Sequence, residues 1–441
     1  MAGAGCVIAA ALSLLATPAV AAPRLDARFG DGGVARVPFK FREFRELGGA
    51  MRPVRQADGK VLVGAYLSGE RSAEGFVLAR FGRPGALDTT FGRRGRVRID
   101  FPWQFNLLTV LAQRDGRIVL VGTVGGYAYF ANRPSQLGIV RLLPDGSRDR
   151  SFGTNGVVVW NPPWRTANEW TFPRLALRQA DGRLLVAATV EDPRLQGSPE
   201  SWQRVVVVRF QPDGSLDPSF GPGGFAELDW DGGYFVGWAR LADGRLASIV
   251  SRHEGPGMPT LESTAWWLHS LTADGSAAAA LRPAGSVRLG LNVLDEMVEL
   301  VPTGDGGLLM IGGVDIDQRG GPVPALRRIL PDGSLDPTFG RHCGEPLRRL
   351  RRARSRGGAP TPDGGVLVTA TKLLIHASPR RLDSFAITHD ATGCIAASPL
   401  RLRGLPVGPP LLQRGGRALL GATFTDNQGL AGGLALIQIR R

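Results

Sequence analysis

The side chains best suited to chemistry in this sequence are aromatic and cationic. Trp103, Trp164, Trp170 and Trp202 stand with Tyr127, Tyr129 and Tyr234 in segments unlike one another. Flat rings with a polar edge suit stacking on sugar rings or extended peptides, and they lose little side-chain entropy on binding. Arg348, Arg349, Arg351, Arg352, Arg354 and Arg356 crowd a single stretch. Guanidinium groups pair bidentately with carboxylate, sulfate or phosphate, so Arg349, Arg352 and Arg354 are expected to contribute if the ligand is anionic. Acid–base and nucleophilic signatures are missing. His253, His269, His342, His376 and His389 follow no metal-binding spacing, and neither a G-x-S-x-G elbow nor a phosphate-binding loop occurs. Asp315-Ile316-Asp317 and Asp229-Trp230-Asp231 supply fewer oxygens than the roughly six that a calcium loop needs. These motifs assign no catalytic residue, metal ligand or cofactor.

The elements that must position these side chains come from a repeat. Gly (61) and Pro (32) are too frequent for a helical bundle and suit many short strands in the 441-residue chain. A turn dipeptide followed by an apolar run recurs at Asp58-Gly59, Asp115-Gly116, Asp181-Gly182, Asp243-Gly244, Asp305-Gly306, Asp363-Gly364 and Gly415-Gly416, roughly 60 residues apart. These dipeptides predict two-residue type I′ hairpins. A second string, Leu-Asp-x-x-Phe-Gly, follows each hairpin, as in Leu216 to Gly221 and Leu335 to Gly340. It has decayed in the fourth and sixth units and stands alone at Leu25 to Gly30. Its aspartates are expected to accept backbone N–H bonds, and its phenylalanines to plug the space between units.

Each unit reads as four strands. Strands a and b flank the hairpin; c and d flank the second string. Strands b and c are apolar at successive positions, as strands covered on both faces are. The last unit lacks its fourth strand, and the chain begins with the missing piece, Val34 to Pro38. The expected fold is therefore all-β: a single seven-bladed β-propeller of four antiparallel strands per blade over residues 22–441. It is closed by residues 34–38 pairing with 434–439, with six- or eight-bladed rings as the runner-up.

The D-G-[KR]-[IVL]-x-[VL] and D-G-S-L-D-x-[ST]-F-G strings resemble the delta-60 repeat family of exported and surface-associated bacterial proteins. The resemblance implies a β-propeller-like fold and an exported location, and no particular chemistry.

Other features agree with export. Val7 to Ala16 is a short apolar run followed by Ala19-Val20-Ala21, the pattern of a signal peptide over residues 1–21. No later apolar stretch is long enough for a membrane span. In an oxidising compartment Cys343 and Cys394 are expected to pair, because their places in adjacent units lie on one face. The net charge is +14, and only Lys40, Lys60 and Lys372 are lysines among 53 basic residues. No nucleic-acid signature accompanies that charge.

The a–b and c–d turns repeat and lie on one face of the ring, whereas the b–c and d–a connections differ in every unit and lie on the other. Variable loops on a rigid scaffold carry recognition. The expected site is thus the variable face: a crescent of Trp103, Tyr127, Trp164, Trp170, Trp202 and Tyr234, faced by Arg349, Arg352 and Arg354. The expected function is a monomeric, non-enzymatic binding protein for a glycan, peptide or anionic envelope component. The alternative is a propeller enzyme acting on polysaccharide, a glycosidase or lyase, which needs carboxylates, or Arg with Tyr or His, converging near the channel.

Overall fold

The computed structural model describes residues 22–40, 46–68, 75–100, 105–125, 135–164, 169–191, 203–228, 234–241, 243–253, 264–271, 286–291, 296–314, 323–340, 350–374, 381–425 and 431–440. Seven antiparallel sheets follow one another along the chain. Blade 2 shows the unit: strands a (Phe105–Ala112), b (Ile118–Val124), c (Gln136–Leu142) and d (Val157–Trp160) hydrogen-bond in that order. Blade 3 repeats it with Trp170–Arg178, Leu184–Glu191, Arg204–Phe210 and Phe225–Leu228. Blade 6 uses Ala353–Pro360, Val366–Leu374, Arg381–His389 and Leu400–Arg403. Blade 5 has three strands among the described residues. Strands a of successive blades lie against one another and surround the axis.

The ring closes as the half-units require. Val34–Lys40 is the outer strand of blade 7, paired with Ala431–Arg440 in the register Val34↔Ile437 to Lys40↔Ala431. Residues at the two ends of the sequence thus share one sheet.

There is no single core. Among the described residues, buried apolar side chains form seven clusters, one between each pair of neighbouring blades. Successive residues of one strand serve different clusters: Val186 and Ala188 face blade 2, whereas Leu185 and Ala187 face blade 4. This two-sided burial is why strands b and c carry continuous apolar runs.

The hairpins differ from expectation. In the a–b turn of blade 1 the Gly59 amide donates to Gln56 O, and the Gln56 amide to Lys60 O. Gly59 has φ 85°, and Asp58 is not in the left-handed region. This is a three-residue loop, a type I turn ending in a glycine bulge, and not a two-residue type I′ turn. The aspartate stays in the right-handed region because its carboxylate accepts the amide two residues on, at 3.0 Å from Lys60 N.

The second string builds a latch between blades. Buried Asp149 accepts the Ser151 amide at 3.1 Å and also takes two guanidinium groups, Arg141 Nε at 2.8 Å and Arg117 Nε at 3.0 Å. Asp217 does the same with Arg209 at 2.6 Å and Arg183 at 3.0 Å; Asp88 takes one guanidinium group, Arg80 at 2.7 Å, and the Lys60 ammonium group at 2.9 Å. The strand-c arginine also stacks on the phenylalanine of its own string: Arg80, Arg141 and Arg209 lie 4.5, 4.5 and 4.6 Å from the Phe91, Phe152 and Phe220 centroids. Both partners then reach the next blade. Arg80 Nη1 donates to Pro144 O at 2.6 Å, and the Gly92 amide donates to Asp145 O at 2.6 Å. Phe91 sits under the c–d turn of blade 2. There a Cβ on Gly146 (φ 91°) would lie 2.8 Å from the ring, so only glycine fits.

At the closure, Asp26 binds Arg440 at 2.7 Å, Arg417 at 3.4 Å and the Gln438 amide nitrogen at 2.7 Å, joining residues 412 positions apart. In blade 6, Ala396 donates its amide to Thr388 O as Asp149 does to Arg141 O, so Thr388 and Ala396 occupy the arginine and aspartate places. In blade 4 the same spacing from Gly275 gives Ser270 and Ala278, the latter outside the described residues. Arginine and aspartate are thus lost together, because a lone buried charge is far more costly than a pair. In blade 6 Cys394 adjoins the missing latch and is disulfide-bonded. We propose Cys343, which lies outside the described residues, as its partner.

Four outcomes are expected. Asp217→Ala alone strands two guanidinium groups and costs about 3 kcal/mol of unfolding free energy by denaturant titration. Asp217→Ala with Arg209→Ser, copying blade 4, costs less than the single change. Stability also falls in acid. The Arg440 hydrogen bond, against burial, lowers Asp26 from 3.8 to about 2, while the Ser151 and guanidinium contacts outweigh burial and hold Asp149 at about 2. Their folded pKa values lie below the unfolded ones, so this stabilisation is full above pH 3.8 and is lost as pH falls through about 2. Chemical denaturation between pH 5 and 2 measures it. Finally, non-reducing peptide mapping recovers Cys343 linked to Cys394; a Cys394 peptide linked elsewhere would refute that pairing.

Candidate functional site

The inner strand of every blade carries a β-bulge, at equivalent places between strands a and b. The register shifts between Leu107/Thr109, Pro173/Leu175, Phe235/Gly237, Met297/Glu299, Ser355/Gly357, Val407/Pro410 and Leu47/Ala50. A bulge bends its strand and re-aims side chains. The inserted residue is an exposed arginine in two blades, Arg174 and Arg356.

At the variable-face end of blades 3 and 4 these bends assemble an aromatic and ionic group. Trp164 is half-buried against the cluster between blades 2 and 3, and the Arg204 guanidinium lies 3.7 Å over its ring. Arg204 also pairs with Glu169, just before strand a of blade 3. The Trp164 indole N–H is buried with no hydrogen-bond acceptor among the described residues. Trp170 meets Phe172 edge to face, with centroids 5.8 Å apart. Arg174 lies 5.5 Å from the Phe172 centroid and 6.0 Å from that of Phe235 on blade 4. It donates to Thr189 Oγ1 at 3.0 Å and stands 3.6 Å from Glu191. Gln203 then ties the two blades, donating to Glu191 at 2.9 Å and accepting the Phe235 amide at 2.9 Å.

Of the expected crescent, Trp164 and Trp170 are brought to this end of blade 3. Trp170 is the first residue of strand a, not part of a loop, and Tyr234 likewise begins strand a of blade 4. Trp103, Tyr127 and Trp202 lie outside the described residues. Trp164 is not an open platform: the blade core covers one side and Arg204 stacks on the ring. Glu169, Arg174, Glu191, Gln203 and Arg204 escaped the sequence reading. Their signal was present: Glu169, Glu191, Gln203 and Arg204 are polar residues at the ends of apolar strand runs, and Arg174 is a charge inside one.

The arginine-rich stretch also differs from expectation. Arg354 and Arg356 belong to strand a of blade 6, not to a loop, and alternate outward with buried Ala353, Ser355 and Gly357. Small inward residues let this strand pack at the axis while its arginines stay exposed. Arg352 precedes the strand with φ 61°, and Arg349 lies outside the described residues. Two further residues join them. Lys372 pairs across from Ala353, and Arg401 binds buried Asp383 on the neighbouring strand at 2.6 Å. Burial, together with the nearby Arg352 and Arg401 charges, lowers the Lys372 pKa, so this end of blade 6 is locally cationic. Blades 3 and 6 lie on different sides of the ring, with blades 4 and 5 between them along the chain.

Asp315, Asp317, Asp229 and Asp231 lie outside the described residues. Among the described residues no group of three or more His, Cys, Asp or Glu side chains is placed to hold a metal. No helix there is long and apolar enough to cross a membrane.

The family model described as "Domain of unknown function (DUF5122) beta-propeller" matches residues 56–91, 113–152, 197–220 and 305–339. These stretches end on the latch phenylalanines Phe91, Phe152, Phe220 and Phe339, and they agree with a β-propeller repeat. No curated protein matches the chain. Solved structures of similar fold include a protein of unknown function from Dyadobacter fermentans, at 13% identity and TM-score 0.40, covering 92% of this chain and 99% of that one. The polysaccharide lyase Uly1 is 12% identical with TM-score 0.46, covering 89% and 90%. The β-propeller domain of the Trilobed protease from Pyrococcus furiosus is 9% identical with TM-score 0.43, covering 89% and 93%.

Proposed function

We propose that this chain is an exported, non-enzymatic binding protein that works as a monomer and recognises a glycan through the variable face of blades 3 and 4. The observation that carries this is the group around Trp164, Trp170, Arg174 and Arg204. Aromatic faces stand beside carboxylates and guanidinium groups already held in place, so a polar ring compound meets a pre-organised surface. A peptide or another envelope component is the wider class this surface suits. The cationic end of blade 6 adds affinity for an acidic ligand, and that part weakens with salt. The delta-60-like repeat strings and the apolar leader before Ala22 support export.

The enzymatic alternative is a glycosidase or lyase. Here Glu169 is engaged by Arg204, and Glu191 by Arg174 and Gln203, which favours binding over proton transfer.

The test is an array of neutral and acidic glycans, followed by titration of the best binder. Arg204→Ala with Trp170→Ala is expected to weaken binding about tenfold or more with little change in thermal stability. Trp164→Ala also costs about 2–3 kcal/mol of stability, because the ring packs on the inter-blade cluster. Unchanged affinity in the Arg204/Trp170 variant would refute the site. Release of new reducing ends or unsaturated products from a bound glycan would establish the enzymatic alternative.

A further inference from the structure

The opposite face, where the repeated turns lie, contains a cavity of about 520 Å³ between blades 2 and 3. The a–b hairpins of both blades form its walls, with Arg114 on one and Arg178 on the other. The latch residue Arg141 and the c–d turn residues Pro212 and Asp213 also line it. Its size falls within the usual range for small-molecule pockets, and polar and charged residues that also expose their aliphatic stems make up most of its lining.

Most of the charge in this cavity is already balanced. Asp115 is bound by Arg117 at 2.6 Å and Asp181 by Arg183 at 2.7 Å, and each also accepts the amide of that arginine. Asp213 accepts the Ser215 amide at 2.9 Å and hydroxyl at 2.7 Å. Arg117 and Arg141 both converge on Asp149. Arg114 and Arg178 remain, and among the described residues the guanidinium group of neither has a hydrogen-bond or ion-pair partner. They stand on facing walls, each on a hairpin held by its own internal bonds.

Comparison of the units shows that the latch does not require these two residues. The place of Arg114 is held by Ala57, Ala180, Ala242, Gly304 and Pro362 in five other units. The place of Arg178 is held by Ala112, Pro302, Pro360 and Leu412 in four. At the junction of blades 1 and 2 the cleft is bridged instead, because Gln56 donates to Gly116 O at 3.3 Å. The side-chain oxygens of Gln56, Gln113 and Gln179 are alike buried with no partner among the described residues, so only the Gln56 amide donation sets the two clefts apart. The combination of two arginines recurs at the junction of blades 7 and 1, as Arg414 and Arg55.

We infer that the cleft between blades 2 and 3 is an anion-binding site in which Arg114 and Arg178 clamp an oxyanion group of a small molecule: a phosphate, a sulfate ester or a carboxylate. Two guanidinium forks on opposite walls offer bidentate hydrogen bonds to the tetrahedral or planar oxygens of such a group. The site is separate from the variable face, so one chain presents two ligands on opposite faces of the ring.

Isothermal titration of the full chain at low salt tests this, with inorganic phosphate, inorganic sulfate and glucose 6-phosphate as probes and glucose as the neutral control. Arg114→Ala/Arg178→Ala is expected to lose one anion site per chain while its thermal midpoint stays unchanged. Arg178→Lys retains the charge without the fork and is expected to weaken that site about tenfold. Arg240→Ala, on blade 4, and Trp170→Ala, on the variable face, are expected to leave the site intact. An isotherm unchanged by the double substitution, or glucose binding as tightly as glucose 6-phosphate, would overturn the assignment.

Discussion

The fold depends on a buried carboxylate shared by two cations. A buried aspartate is tolerable only if its charge is met and its remaining lone pairs are filled. Asp149 and Asp217 meet both conditions, with two guanidinium groups and the hydroxyl and amide of the residue two further on. One of those guanidinium groups belongs to strand c, whose cation also covers the latch phenylalanine. In blades 1 and 2 it hydrogen-bonds the following blade as well. One short string therefore orients strand c, closes its own turn and docks the neighbouring sheet. Blades 1, 2 and 3 dock in this way, blades 4 and 6 lack the pair, and Asp26 repeats the device across the ends of the sequence.

That arrangement makes the two faces physically unequal. The repeat-motif face consists of turns whose backbone and side-chain groups are mutually bonded, so its geometry is set locally and copied. The variable face has no such string. Its connections carry whatever residues they hold, and the ion pairs found there, Arg204 with Glu169 and Arg174 with Glu191, have no counterpart in the repeat. With the geometry of the ring fixed by the latches on one face, the residues of the other are free to differ from unit to unit.

The centre of the ring is also asymmetric. Arg52, between the first two strand segments of blade 1, pairs with Glu299 on blade 5 and donates to carbonyls of Pro410 on blade 7 and Gly358 on blade 6. Glu299 in turn accepts the Gly358 amide at 3.0 Å. One guanidinium thus ties four blades at the axis. Close approach is possible there because small residues face the pair: a Cβ on Gly357 would lie 2.5 Å from Glu299 Oε2. On the side of blades 2 to 4 the equivalent strands carry Val110, Ala176 and Trp238, which turn into inter-blade clusters.

Periodicity and local chemistry were enough to specify much of this protein. Seven hairpin signals, two-sided apolar strands and complementary half-units at the chain ends determined the blade count, the strand order and the closure between Val34–Lys40 and the last blade. Each of these follows from interactions within a unit or from simple counting. The Asp-Gly turn was legible as a turn but not as the three-residue form, because that form depends on which backbone bond closes the loop. The aspartates of the second string were legible as turn acceptors, whereas their arginine partners were not, since Arg141 and Asp149 meet only once strands c and d are folded back. The long-range side-chain contacts were the least legible. Arg204 and Trp164 are 40 positions apart, and Arg52 and Glu299 are 247 apart. No spacing in the sequence encodes such contacts; only the curvature of the ring brings them together.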